Sequence, residues 1–60
     1  MSKFKLEINT DNSAYEGESL HPEIALNLDA IRIQIERGYT QGIIKDTNGN
    51  AVGDFLIEEN

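Results

Sequence analysis

The chain has no cysteine and no tryptophan, and among its 60 residues there are one histidine, one proline and five basic side chains. Without cysteine there are no disulfides, no thiolate metal sites and no cysteine nucleophile, and the composition fits a reducing compartment. Chains of this size often gain stability from disulfides, a metal or self-association. With His21 as the single imidazole, good local design or oligomerisation is left. Five basic against eleven acidic residues give a formal charge of −6, which repels phosphate backbones rather than releasing their counterions, so direct nucleic-acid binding is not expected. No apolar stretch approaches the roughly 20 residues of a membrane span. Met1–Lys5 leads into alternating residues rather than an apolar run, so a signal peptide is not expected either and the protein reads as soluble and cytoplasmic.

Sixty residues allow one domain with a thin core, because a chain this short buries only roughly 60% of the surface it exposes when unfolded. The acid gathers at Asp11, Glu16, Glu18 and Glu23, and again at Glu58 and Glu59. Two readings of it stand: a solvated surface that keeps a small protein dispersed, or carboxylates that imitate a nucleic-acid backbone and occupy a basic groove on another protein.

From Lys3 to Asn9 the residues alternate, with Phe4, Leu6 and Ile8 on one side and Lys3, Lys5 and Glu7 on the other. This is the period of a half-buried strand. Asn9–Ser19 collects Asn, Asp, Thr, Ser and Gly around Tyr15, which predicts a loop pinned to the core by that ring. His21-Pro22-Glu23 reads as a helix start, because proline's missing N–H has no helical partner there and Glu23 faces the positive end of the dipole. Gly38 is the stop. Pro22–Arg37 is therefore the predicted helix, with Ile24, Leu28, Ile31 and Ile35 on one stripe facing the sheet. Ile31–Glu36 also alternates like a strand, but the Pro22 and Gly38 brackets decide for helix.

Asp46-Thr47-Asn48-Gly49-Asn50 lies between two apolar segments, and Asn-Gly is the preferred pair for a two-residue turn in which both residues take positive φ. Such a turn sets Lys45 opposite Val52, Ile44 opposite Gly53 and Gly42 opposite Phe55, with the Phe55 ring covering the bare Gly42. The expected fold is α+β: a single βαββ domain over residues 1–60, one helix on a three-stranded sheet. Its expected core is Phe4, Leu6, Ile8, Ile24, Leu28, Ile31, Ile35, Ile44, Phe55 and Ile57.

One helix covers one sheet face only, so two apolar sets are left over. On the helix, Leu26, Ala30 and Ile33 lie opposite the core stripe. On the hairpin, Ile43, Val52 and Leu56 point away from the helix. Scattered exposed apolar residues are ordinary, whereas ordered patches mark interfaces. Leu26, Ala30 and Ile33, with Glu16, Glu18 and Glu23 as an acidic rim, form the candidate partner-binding surface. Ile43, Val52 and Leu56 form a possible homodimer face.

Catalytic and metal signals are weak. Ser19 and His21 sit beside a helix cap without a converging third group. Asp46, Asn48 and Asn50 alternate like the first ligands of a calcium loop, but that loop's sixth and twelfth positions hold Ala51 and Ile57 instead of glycine and glutamate. No glycine cluster opens a helix after a strand. No enzyme activity, cofactor or metal is expected.

The segments Ile8-Asn9-Thr10-Asp11-Asn12-Ser13-Ala14-Tyr15, Glu23-Ile24-Ala25 and Asp46-Thr47-Asn48-Gly49-Asn50-Ala51-Val52-Gly53-Asp54-Phe55 resemble short, mostly uncharacterised proteins encoded by bacteriophages and prophages. The resemblance spans most of the chain. It implies a strand–helix–hairpin fold, a phage or mobile-element origin and work inside a bacterial host; it implies no activity. It also implies charged residues where this chain has Leu26 and Ile33, which makes the outer helix stripe the first candidate for a working surface. The combined expectation is a small acidic accessory protein that binds and inhibits a host protein, such as a defence protein. The alternative is a self-associating structural or phage assembly protein that dimerises through the open sheet face.

Overall fold

The alternating N-terminal segment forms strand β1 (Lys3–Ile8) in a computed structural model that describes residues 1–59. Two short 3-10 turns, Ser13–Tyr15 and Gly17–Ser19, lead into helix α1 (Leu20–Glu36), and strands β2 (Gln41–Lys45) and β3 (Ala51–Glu58) follow. The sheet is antiparallel in the order β1-β3-β2. This is the expected βαββ, α+β architecture. The first two strands run the same way, with β3 inserted between them.

Strand register decides which side chains share a face. Phe4 opposes Ile57, Leu6 opposes Phe55 and Ile8 opposes Gly53, while Gly42 and Ile44 oppose Phe55 and Gly53 from the other side. That face meets the helix. A Cβ on Gly42 would lie 2.6 Å from the Phe55 ring and 2.1 Å from the Gln34 side-chain oxygen, so only glycine lets strand, ring and helix close together there.

The hairpin turn differs from the expected one. Asp46 and Asn50 close a three-residue loop, with the Asp46 amide donating to the Asn50 carbonyl (2.9 Å) and the Gly49 amide to the Asp46 carbonyl (3.0 Å). Among these residues only Gly49 has positive φ, at 85°. A type I turn followed by a left-handed glycine is the three-residue solution, and it adds a bulge. Accordingly Lys45 pairs with Ala51 rather than Val52. The bulge re-aims Val52, which packs against the core cluster instead of lying on the open face with Ile43 and Leu56.

Helix α1 begins two residues earlier than expected. Pro22 is its third residue, still within the first turn, where backbone N–H groups have no helical partner. Its end is as expected: the Gly38 amide donates to the Ile35 carbonyl and the Tyr39 amide to the Gln34 carbonyl, with Gly38 at φ 90°, a Schellman closure.

The buried stripe of α1 is Glu23, Asn27 and Ile31, not Ile24, Leu28, Ile31 and Ile35. The helix packs along the edge strand β2, and its N-terminal half turns two polar residues inward to meet the hairpin. Leu28 is consequently 47% exposed and Ile35 is exposed, with Ile24 half-buried. Across the sheet, Phe4 (51% exposed) and Leu6 lie on the helix-side face but outside the covered area. The buried apolar residues are Tyr15, Ile31, Ile44 and Phe55, with Ile8 and Val52 packed against the last three.

Phe55→Ala should cost about 3–5 kcal/mol, comparable to all that a core of this size supplies, and leave most of the chain unfolded. Leu28→Ala should cost under about 1 kcal/mol. Urea titration followed by circular dichroism separates the two; a larger loss for Leu28 than for Phe55 would show that the helix is rotated the other way.

Candidate partner-binding surface

The residues that place the surface are polar. Asn12 caps the first 3-10 turn by accepting from the Ala14 amide (2.9 Å), and its Nδ2 donates to Asp46 (2.8 Å). Asp46 in turn accepts from the amides of Asn48 and Asn50, each at 2.9 Å, and from the Asn50 side chain. The Tyr15 hydroxyl donates to Asn27 Oδ1 (2.7 Å), and Asn27 Nδ2 donates to the Lys45 carbonyl (3.3 Å). Glu23 accepts from both the amide (3.1 Å) and the hydroxyl of Thr47. Loop, helix and hairpin turn are thus joined by three side-chain links, and among the described residues no buried side-chain polar atom lacks a partner. Such groups are costly when unpaired and specific when satisfied.

This network shifts the titration of Asp46 and Tyr15. Hydrogen bonds, first from the Asn50 amide, hold the Asp46 carboxyl below its ordinary value. Burial pushes the Tyr15 phenol up, and the carboxylates of Glu23 and Asp46 add to the shift. Asp46 spends its oxygens on the turn, which accounts for the calcium-like spacing of Asp46, Asn48 and Asn50. No group of three or more acidic, histidine or cysteine side chains among the described residues could hold a metal ion. Ser19 is the helix N-cap residue without a side-chain cap bond, and His21 is exposed beside it.

Of the six candidate partner-binding residues, five are exposed. Leu26 (62% exposed) and Ile33 project from one flank of α1 with Ala30 between them. Leu26 also lines a shallow depression with Glu18, Pro22, Ser13, Thr47 and Asn48, so the apolar flank and the acidic loop meet at this point. Glu16 is exposed nearby in sequence but does not line the depression. Glu23 does line it, yet it is buried and its oxygens are occupied by Thr47; it belongs to the fold and not to the acidic rim.

On the opposite sheet face Ile43 (59% exposed) and Leu56 are open as expected. They share a broad depression with Lys5, Glu7, Gln41 and Asp54. The charges around them were not singled out by the sequence, although strict alternation along β1 and β3 carries that information. Asn27 was also missed; its signal is the spacing of four from Glu23 and to Ile31.

No family model matches the chain, and no curated protein or solved structure matches it. Among the described residues no helix is long and apolar enough to cross a membrane.

Because its folded pKa is lowered, Asp46 contributes stability that is fully present above 3.8 and lost as pH falls through the lower folded value. Tyr15, with a raised folded pKa, contributes stability present below 10.0 and lost as pH rises through the folded value. In thermal melts across pH, Asp46→Asn should flatten the acid limb and Tyr15→Phe the alkaline limb. At neutral pH Tyr15→Phe should cost about 1–3 kcal/mol, because Asn27 Oδ1 is left buried without its donor. Unchanged limbs in both variants would show that the network is not linked to folding.

Proposed function

We propose that this chain is a protein-binding module without a chemical step of its own, and that its working surface is the outer flank of α1: Leu26, Ala30 and Ile33, bordered by Glu16 and Glu18. The observation that supports this most is Leu26, a large apolar side chain more than half exposed at the junction of a helix flank, an acidic loop and a hairpin turn. An apolar stripe with a polar border matches the usual make-up of a protein interface, in which a dry centre is ringed by hydrated charge. A groove that accepts a helix by anchors four and three residues apart is the natural counterpart.

The phage-like segments suggest the setting. In this reading the chain is an accessory protein of a phage or prophage and its partner is a host protein, with inhibition of a defence protein as the specific version. Charge mimicry of nucleic acid would rest on Glu16 and Glu18 with the neighbouring Asp11, since Glu23 is committed to Thr47.

A pull-down from bacterial lysate with wild type should retain a protein that a Leu26→Glu/Ile33→Glu variant loses, while both keep the same helical signal because the two sites are exposed. Glu16→Lys/Glu18→Lys should weaken the same interaction, and added salt should weaken it further if charge contributes. Retention of the partner by the Leu26/Ile33 variant would remove the helix flank as the binding site, and salt-independent binding would remove the mimicry version.

A further inference from the structure

We infer that the sheet face turned away from α1 binds a second copy of this chain in a two-fold pair, separately from the helix flank. Alternation along the strands puts Lys3, Lys5 and Glu7 of β1, Asp54, Leu56 and Glu58 of β3, and Gln41, Ile43 and Lys45 of β2 on this face. All three lysines of the protein are here, balanced by three carboxylates. The remaining charged residues are Arg32 and Arg37 against eight acids. The entire −6 therefore resides elsewhere, on Asp11, Glu16, Glu18, Glu23, Asp46 and Glu59 once Asp29 and Glu36 are set against Arg32 and Arg37, and two copies approaching through the loop and the start of α1 bring like charge together. This face, neutral and carrying every lysine of the protein, lets an identical, acidic molecule come close without that penalty.

The charges on the face are also unevenly paired within one copy. Lys5 bonds Glu58 at 3.0 Å. Glu7 and Asp54, by contrast, stand directly opposite each other on neighbouring strands, a like-charge arrangement that is unfavourable, and neither has a cation within ion-pair distance among the described residues. Lys3 and Lys45 likewise make no ion pair there. Each copy thus offers, around exposed Ile43 and Leu56, two cations and two anions that form no ion pair among the described residues. In a two-fold contact, what residue i does for residue j is returned by j for i, so a second copy supplies both missing sets in equal number. Sheets pack face to face at about 10 Å, close enough to bury the two apolar side chains of each copy between them. A three-stranded face is small, at or below the roughly 1,200 Å² that separates stable from transient interfaces, and the pair should be weak and reversible.

Sedimentation equilibrium on the wild type over a series reaching about 1 mM, the weak end of specific association, should show the apparent mass rising from 6.7 kDa towards twice that value. Ile43→Glu should hold it at the monomer with an unchanged fold by circular dichroism, whereas Leu26→Glu/Ile33→Glu should dimerise like the wild type. The decisive pair is Lys3→Glu/Lys45→Glu and Glu7→Lys/Asp54→Lys. Each alone should be monomeric, and their equimolar mixture should form a heterodimer although both remain net negative. A wild type that stays monomeric throughout, a dimer that survives Ile43→Glu, or a mixture that fails to associate would overturn the inference.

Discussion

Two polar residues on the inner stripe of α1 govern the rest of the molecule. Asn27 and Glu23 face inward, where Asn27 meets the hairpin's carbonyl at Lys45 and Glu23 meets the amide and hydroxyl of Thr47. A polar group shut off from water and left unmet costs about 1–3 kcal/mol, the same order as burying one leucine, so polar partners compete with apolar ones for the inner stripe. The helix consequently sits along β2 and not across the sheet, Tyr15 closes over Asn27, and the 3-10 segment is drawn against the hairpin turn through Asn12 and Asp46. One set of hydrogen bonds fixes the depth of the helix, its rotation and the path of the loop.

That choice distributes the apolar surface. The inward polar stripe displaces Leu28 and Ile35 to one flank and leaves Leu26 and Ile33 on the other, so the helix is apolar on both sides of a polar seam. The sheet is neutral and partly apolar on its far face, and the acid lies on the loop, the helix and the hairpin turn. A chain too short to bury all its hydrophobic side chains thereby presents them in separate, differently charged settings.

Element order and type were legible in the sequence because each rests on local chemistry: alternation for β1, Gly38 for the helix end, and turn residues for the hairpin. Helix rotation was not legible, because hydrophobic periodicity assumes an apolar sheet beneath the helix and cannot see a bare carbonyl or amide that demands a polar partner. The error at Val52 has a similar origin. Asn48-Gly49 suits a two-residue turn, but Asp46 stabilises a wider one by accepting from two amides beyond it, and the bulge that follows turns Val52 inward. At the candidate surface, Leu26, Ala30 and Ile33 were correctly placed outside because both rotations leave that flank uncovered; Glu23 was misplaced because its proximity to the helix start hid its tertiary role.

Gly53 has a further consequence for how the strands find one another. Its Cα is approached so closely by β1 that a Cβ there would lie 2.0 Å from the Glu7 carbonyl oxygen. A one-residue slip of β1 against β3 would expose its apolar side chains and is rejected on that ground. A two-residue slip keeps the faces correct, and hydrophobic patterning cannot exclude it. It would, however, carry a neighbour bearing a Cβ into the notch that Gly53 leaves open, where backbone meets backbone and nothing can yield. The first and last strands are joined by nearly the whole length of the chain, and a missing methyl acts as the detent that tells them where to stop.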